Sequence, residues 1–165
     1  MTLKQAVEGF VARASARGFH GRTLSVAEIQ SLDIALAGAY PTWLAELLSA
    51  VPLCDLQLGW REYGPDASFY GVEWLNWCGA AGVISESVNC YPGCAILSAG
   101  FINVASCSGG SGNPYFISVN EGDDPPLYRV LHDVSDRTDI ILAEGRETVA
   151  PHLSEFFRGA LVQGT

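Results

Sequence analysis

Apolar positions recur along the first third of the chain with a helical period. Leu3, Ala6, Val7, Phe10, Val11 and Ala14 fall on one face, and Gly18 supplies a stop. Ser25-Val26-Ala27-Glu28 has the spacing of a capping box, and Ile29, Leu32 and Leu36 continue it as a buried stripe that ends at Gly38. Pro41 suits the first turn of a third helix, where its missing N–H costs nothing, and Trp43, Leu44, Leu47, Leu48 and Val51 form that helix's apolar face before Pro52.

The period then changes to two. Leu56, Leu58 and Trp60 alternate with Asp55, Gln57 and Gly59, and beyond a Gly64-Pro65 turn a second stretch surrounds Val72-Glu73-Trp74-Leu75. The segment 77–89 fits a short helix or an irregular crossover equally. Further strands are predicted at 95–97, 101–105, 115–119 and 127–131, separated by Gly100, a 108–112 loop and a 122–126 turn. Leu153, Phe156, Phe157, Ala160 and Leu161 then return to helical spacing behind Pro151. Helices at both ends of a run of strands predict a single α+β domain over residues 1–165. Its sheet should be mainly antiparallel and bent, flanked by N-terminal helices and a C-terminal helix, with one helical layer against it.

Composition agrees with a packed domain: 48% of the 165 residues are hydrophobic, and the mean hydropathy is +0.20. No apolar run approaches the roughly 20 residues that cross a bilayer. Met1 to Gln5 lack the basic start and apolar stretch of a secretory signal, so the expected location is the cytoplasm. The formal charge of -9 works against direct binding to nucleic acid or anionic membranes and favours basic partners. Taken alone, such a charge more often serves solubility.

Candidate chemistry is sparse. The five cysteines, Cys54, Cys78, Cys90, Cys94 and Cys107, form neither a disulfide framework nor a zinc-binding spacing, and they read mostly as small buried hydrophobes. Cys90 and Cys94 flank a Tyr91-Pro92-Gly93 turn with no histidine nearby. No metal or other cofactor is expected. Ser108-Gly109-Gly110-Ser111-Gly112 lacks both the G-x-S-x-G elbow and the P-loop lysine, and reads as a flexible turn. His132 and Asp133 are adjacent on a strand end and point to opposite faces, an awkward base and orienter. His20 and His152 have no evident partners. An enzyme ranks behind the binding readings.

Four segments follow one another along the chain. Glu28-Ile29 leads to Tyr40-Pro41-Thr42-Trp43-Leu44 and Leu47-Leu48. The glycine-rich turn Gly109-Gly110-Ser111-Gly112-Asn113-Pro114-Tyr115-Phe116 precedes the strand Leu127-Tyr128-Arg129-Val130-Leu131-His132-Asp133. A closing helix at Val149 to Phe157 completes an order that resembles the SUKH superfamily. The resemblance covers a core of 25–162 and leaves 1–24 as an added helix and loop. Gly109, Gly110, Gly112, Asn113, Pro114 and Tyr115 then form a structural motif, with Ser111 and Asn113 where many relatives carry acids.

The superfamily includes fungal Smi/Knr cell-wall regulators and bacterial immunity proteins. The resemblance implies a non-catalytic α+β protein that binds and neutralises a toxin, or alternatively an intracellular scaffold or regulatory module. An acidic inhibitor would dock on a toxin's basic face. Asp66, Glu73 and Glu86 in the middle, and Glu121, Asp123, Asp124, Asp133, Asp136 and Asp139 toward the end, are the candidate contacts, with Tyr63, Trp77 and Tyr91 as candidate aromatic anchors.

Overall fold

A computed structural model describes residues 1–63 and 71–164. The Gly64-Pro65 turn and Asp66 lie outside the described residues. Three helices open the chain: α1 (Leu3–Ser15), α2 (Val26–Ala35) and α3 (Thr42–Ala50). Both polar starts are reciprocal capping boxes. Thr2 and Gln5 exchange hydrogen bonds before α1, and Ser25 and Glu28 do so before α2. Glu28 is held further by Arg22, whose guanidinium donates to it at 2.8 Å and to Asp55 at 2.6 Å, tying the start of α2 to the approach to the sheet.

The strands are β1 (Gln57–Arg61), β2 (Val72–Trp77), β3 (Phe101–Cys107), β4 (Tyr115–Ser118), β5 (Leu127–Val130), β6 (Arg146–Ala150) and β7 (Leu161–Val162). They form one curled antiparallel sheet in the order β6-β5-β4-β3-β2-β1-β7. The domain is α+β, as the sequence pattern predicts. Its main core lies on the concave face, where Leu58, Leu75, Trp77, Ile102, Tyr115, Ile117 and Leu127 meet the helices.

The closing helix α7 (Leu153–Gly159) is central to that core. Phe157 lies 5.1 Å from Trp77 and 6.2 Å from Phe10, centroid to centroid, and so joins the last helix to the sheet and to α1. Arg13 donates to the Phe157 and Ala160 carbonyls at 3.0 and 3.1 Å, satisfying the end of α7. Trp77 is 1% exposed and belongs to the core, which removes it as an interface anchor; Tyr63 and Tyr91 are 50% and 55% exposed.

Several segments differ from expectation. The 95–97 stretch is helical, not a strand, and lies in α5 (Gly93–Ile96) and a following 3-10 turn, Leu97–Ala99. Three apolar residues do not distinguish a strand from one buried helical turn. Gly93 permits the helix to start there, since a Cβ would collide with the Glu86 carbonyl. The undecided 77–89 segment is α4 (Ala80–Ile84) running into a wider turn, Ser85–Asn89. Strand β6 and the helix before it, α6 (Thr138–Ile140) with its extension Ile141–Gly145, fall where no element is predicted. Leu161 leaves the closing helix and enters β7, where Val162 faces Leu58.

The sheet is also covered on both faces, not by one helical layer. Ile96, Phe101, Phe116, Tyr128, Val130 and Ile141 make a second, smaller cluster on the convex side.

At the centre, β3 contains a bulge. Asn103 pairs with Phe116 and Ala105 with Tyr115, leaving Val104 as the extra residue. The buried Asn103 amide donates to the Ala105 and Tyr115 carbonyls at 2.9 and 3.1 Å, while its backbone N–H donates to Ser87 Oγ at 2.9 Å. Asn103→Ala strips two buried carbonyls of their donor and is expected to cost about 2–4 kcal/mol. Urea unfolding of the two proteins measures the difference.

Candidate functional site

Three connections emerge from one end of the sheet: β1 to β2, β3 to β4, and β5 to β6. At this end the concave face changes from apolar to polar. Trp60 faces Glu73 across β1 and β2, Cys107 on β3 pairs with Leu75 on β2, and Tyr115, Arg129 and Glu147 lie side by side across β4, β5 and β6. Strand parity therefore brings residues from six strands to one concave rim.

Arg129 is the hub and is 7% exposed. Its Nε donates to Glu147 at 2.8 Å, its Nη2 contacts both Glu147 and Glu62, and its guanidinium lies 5.2 Å over the Trp60 ring. Burial by itself would lower the arginine pKa, but the hydrogen bonds to Glu62 and Glu147 outweigh it and raise it. Trp60 Nε1 donates to Tyr115 Oη at 3.0 Å. Burial pushes the Tyr115 hydroxyl up to about 12.

Three carboxylates thus surround one buried cation, and the third is left over. Glu73 Oε2 is buried with no hydrogen-bond partner among the described residues. Burial first, then repulsion from Glu62, raises the Glu73 pKa despite the opposing field of Arg129. A carboxyl raised in the folded state binds a proton that the unfolded chain has released. Its contribution to stability is therefore fully present below the unfolded-state pKa and is lost as pH rises through the folded value.

The glycine-rich segment forms the neighbouring wall. Gln57 Nε2 donates to Ser108 Oγ at 2.9 Å, and the Asn113 side-chain oxygen accepts from the His132 backbone N–H at 3.1 Å and from its ring Nδ1 at 2.8 Å. Gly110 and Gly112 take φ of 99° and 75°, the left-handed region that glycine supplies without strain. The loop is pinned at both ends and is not a free turn, and the partner of His132 is Asn113, not Asp133.

Inside the loop, Cys107 Sγ lies 3.1 Å from Ser111 Oγ. Burial opposes the thiolate, yet the Ser111 hydroxyl and the backbone amides of Gly112, Gly109 and Gly110 lower the Cys107 pKa below that of an ordinary thiol. Burial instead pushes Cys54 up to about 11 and Cys78 up to about 12. Among the described residues, no group of three or more His, Cys, Asp or Glu side chains is placed to hold a metal ion.

The acidic residues singled out from the sequence do not form one patch. Glu73 lies on the concave rim, and Asp133, Asp136 and Asp139 are exposed on the connection leaving the same end, with Asp139 paired to Arg137 at 2.7 Å. Glu121, Asp123 and Asp124 lie on the β4 to β5 connection at the opposite end. There Glu121 accepts from Tyr128 Oη at 2.9 Å, and Asp124 accepts from the Ser154 N–H and hydroxyl at 2.8 and 2.6 Å, anchoring the start of α7. Glu86 is half-buried in the turn after α4, and burial raises its pKa.

Sequence reasoning missed Arg129, Glu62, Glu147, Trp60 and Cys107 as a group. One signal was available: Arg129 shares strand parity with the core residue Leu127 and so had to enter the concave face. Compared with protein-family models, curated proteins and solved structures, the chain matches none.

Two outcomes test this geometry. Iodoacetamide near neutral pH is expected to alkylate Cys107 well before Cys54 and Cys78, which react only on unfolding; mass spectrometry of timed digests reads the order. Glu73→Gln is expected to stabilise the protein at neutral pH, with the gain disappearing at acidic pH where Glu73 is protonated in both states. Thermal melts across pH measure the trend.

Proposed function

We propose that the chain is a protein-binding domain of the SUKH type that neutralises a toxin by covering its basic face, acting in the cytoplasm without catalysis of its own. The observation that supports this most is the charge at the open end of the sheet. Glu62, Glu73 and Glu147 outnumber Arg129, and the exposed Asp133 and Asp136 have no cationic partner among the described residues. A surface of that sign accelerates association with a basic protein and opposes nucleic acid.

The aromatic content fits an interface. Trp60 is half-buried beside the charges, and Tyr63 is exposed just beyond β1. Rigid rings flanked by charge are the residues that most often dominate binding energy. Inhibition through this end is steric: the partner's basic surface is occupied by the rim. No helix among the described residues is long and apolar enough to cross a membrane.

The test is co-expression with the product of a neighbouring toxin-like gene, followed by binding measurements across a salt series. A stoichiometric complex that abolishes toxicity and weakens with salt is expected. Asp133→Lys with Asp136→Lys should slow association by about tenfold or more at low salt. A complex that leaves toxicity intact moves the reading to a scaffold or regulatory module. A neutralising complex insensitive to salt and to both reversals removes the role given to this rim.

A further inference from the structure

At the opposite end of the domain, a cavity of about 520 Å³ opens between the start of α1, the exposed side of α3 and the β4 to β5 connection. Leu3, Trp43 and Leu47 give it an apolar floor, and Lys4, Glu46, Asp123 and Asp124 stand around it. We propose that this groove is a second docking surface, which receives an extended segment of a partner protein carrying an arginine or lysine beside an apolar residue. It does not depend on neutralisation at the open end, since a scaffold would use it equally.

Charge decides the occupant. Lys4 lies 3.9 Å from Glu8 on its own helix, and both Asp124 oxygens are taken by Ser154. Glu46 and Asp123 remain as two exposed carboxylates with no hydrogen bond or ion pair among the described residues. An acidic segment would be repelled, and a purely apolar one would leave these charges facing a dehydrated neighbour. An arginine or lysine satisfies both requirements: its aliphatic stem covers Leu3 and Leu47, its cationic head reaches the carboxylate rim, and a guanidinium also stacks on the Trp43 indole. The indole N–H of half-buried Trp43 has no acceptor among the described residues, which leaves a donor for a carbonyl of the incoming backbone.

The groove is also set before binding. Its α1 wall is fixed by the reciprocal Thr2 and Gln5 hydrogen bonds, and its loop wall by Asp124 on Ser154 and by the Pro125 carbonyl accepting from the Leu153 N–H at 2.9 Å. Little ordering cost then falls on this protein when a flexible segment enters.

Selection of random phage-displayed dodecapeptides on the immobilised full chain tests the assignment, with winners synthesised and titrated by NMR. Enriched peptides are expected to share an arginine or lysine next to an apolar residue, to shift the Trp43 indole signal and to leave the Arg129 end unmoved. Glu46→Lys with Asp123→Lys should weaken them at least about tenfold. The milder pair Glu46→Gln with Asp123→Asn should weaken them by less, and thermal melts show whether each variant is folded. No consensus, an acidic or neutral consensus, binding at another surface, or binding undiminished in the folded variants would each overturn the proposal. None of these readouts involves a toxin, so neutralisation at the open end stands or falls separately.

Discussion

The chemistry of the open end depends on the single extra residue in β3. Without the bulge, strict alternation from Ile102 would send Val104 to the concave face and Ala105 and Cys107 to the convex one. With Val104 inserted, Ala105 comes to lie opposite Tyr115 and Trp77, and Cys107 opposite Leu75, all on the concave side. The Asn103 carboxamide makes this arrangement tolerable, because it supplies the Ala105 and Tyr115 carbonyls with donors where the ladder is interrupted. A bulge also adds twist, which suits a sheet that must curl around α1 and α7.

Arg129 shows a second constraint. A buried ion pair is seldom the most stable way to fill space; a hydrophobic group of similar volume often does as well or better. Here Glu62 and Glu147 compensate one arginine, Trp60 stacks over it, and Glu73 still keeps a buried oxygen without a partner among the described residues. Stability alone does not call for the third carboxylate. Beside it, the amides of Gly109, Gly110 and Gly112 present partial positive charge to Cys107. Opposite fields therefore meet within one rim, an arrangement suited to recognition by charge pattern more than to filling a core.

Where periodicity was long, the sequence was readable. The helical stripes of α1 and α3, the Ser25 and Glu28 capping box, and the alternation through β1 all carry local signals that burial reinforces. Short or doubly buried pieces were not. Ile96 is an isolated buried residue between partly covered neighbours, so 95–97 read equally well with either period. β6 starts with Arg146, Glu147 and Thr148, all exposed, and so shows no apolar alternation. The site was less legible still, since the partners of Arg129 come from 67 residues before it and 18 after it. Such a meeting is a property of strand order, and strand order is written in no local pattern.

The same topology explains why the acidic residues separate. In an antiparallel meander, successive connections alternate between the two ends of the sheet. Asp124 precedes β5 and Asp133 follows it, so nine positions in sequence become the length of a strand in space. One set buttresses α7 and borders the α1 and α3 groove; the other extends the rim around Arg129. These two sets of acidic residues consequently stand at opposite poles of the sheet. A partner meeting one pole leaves the other open, and binding at the two is free to differ in what each surface accepts.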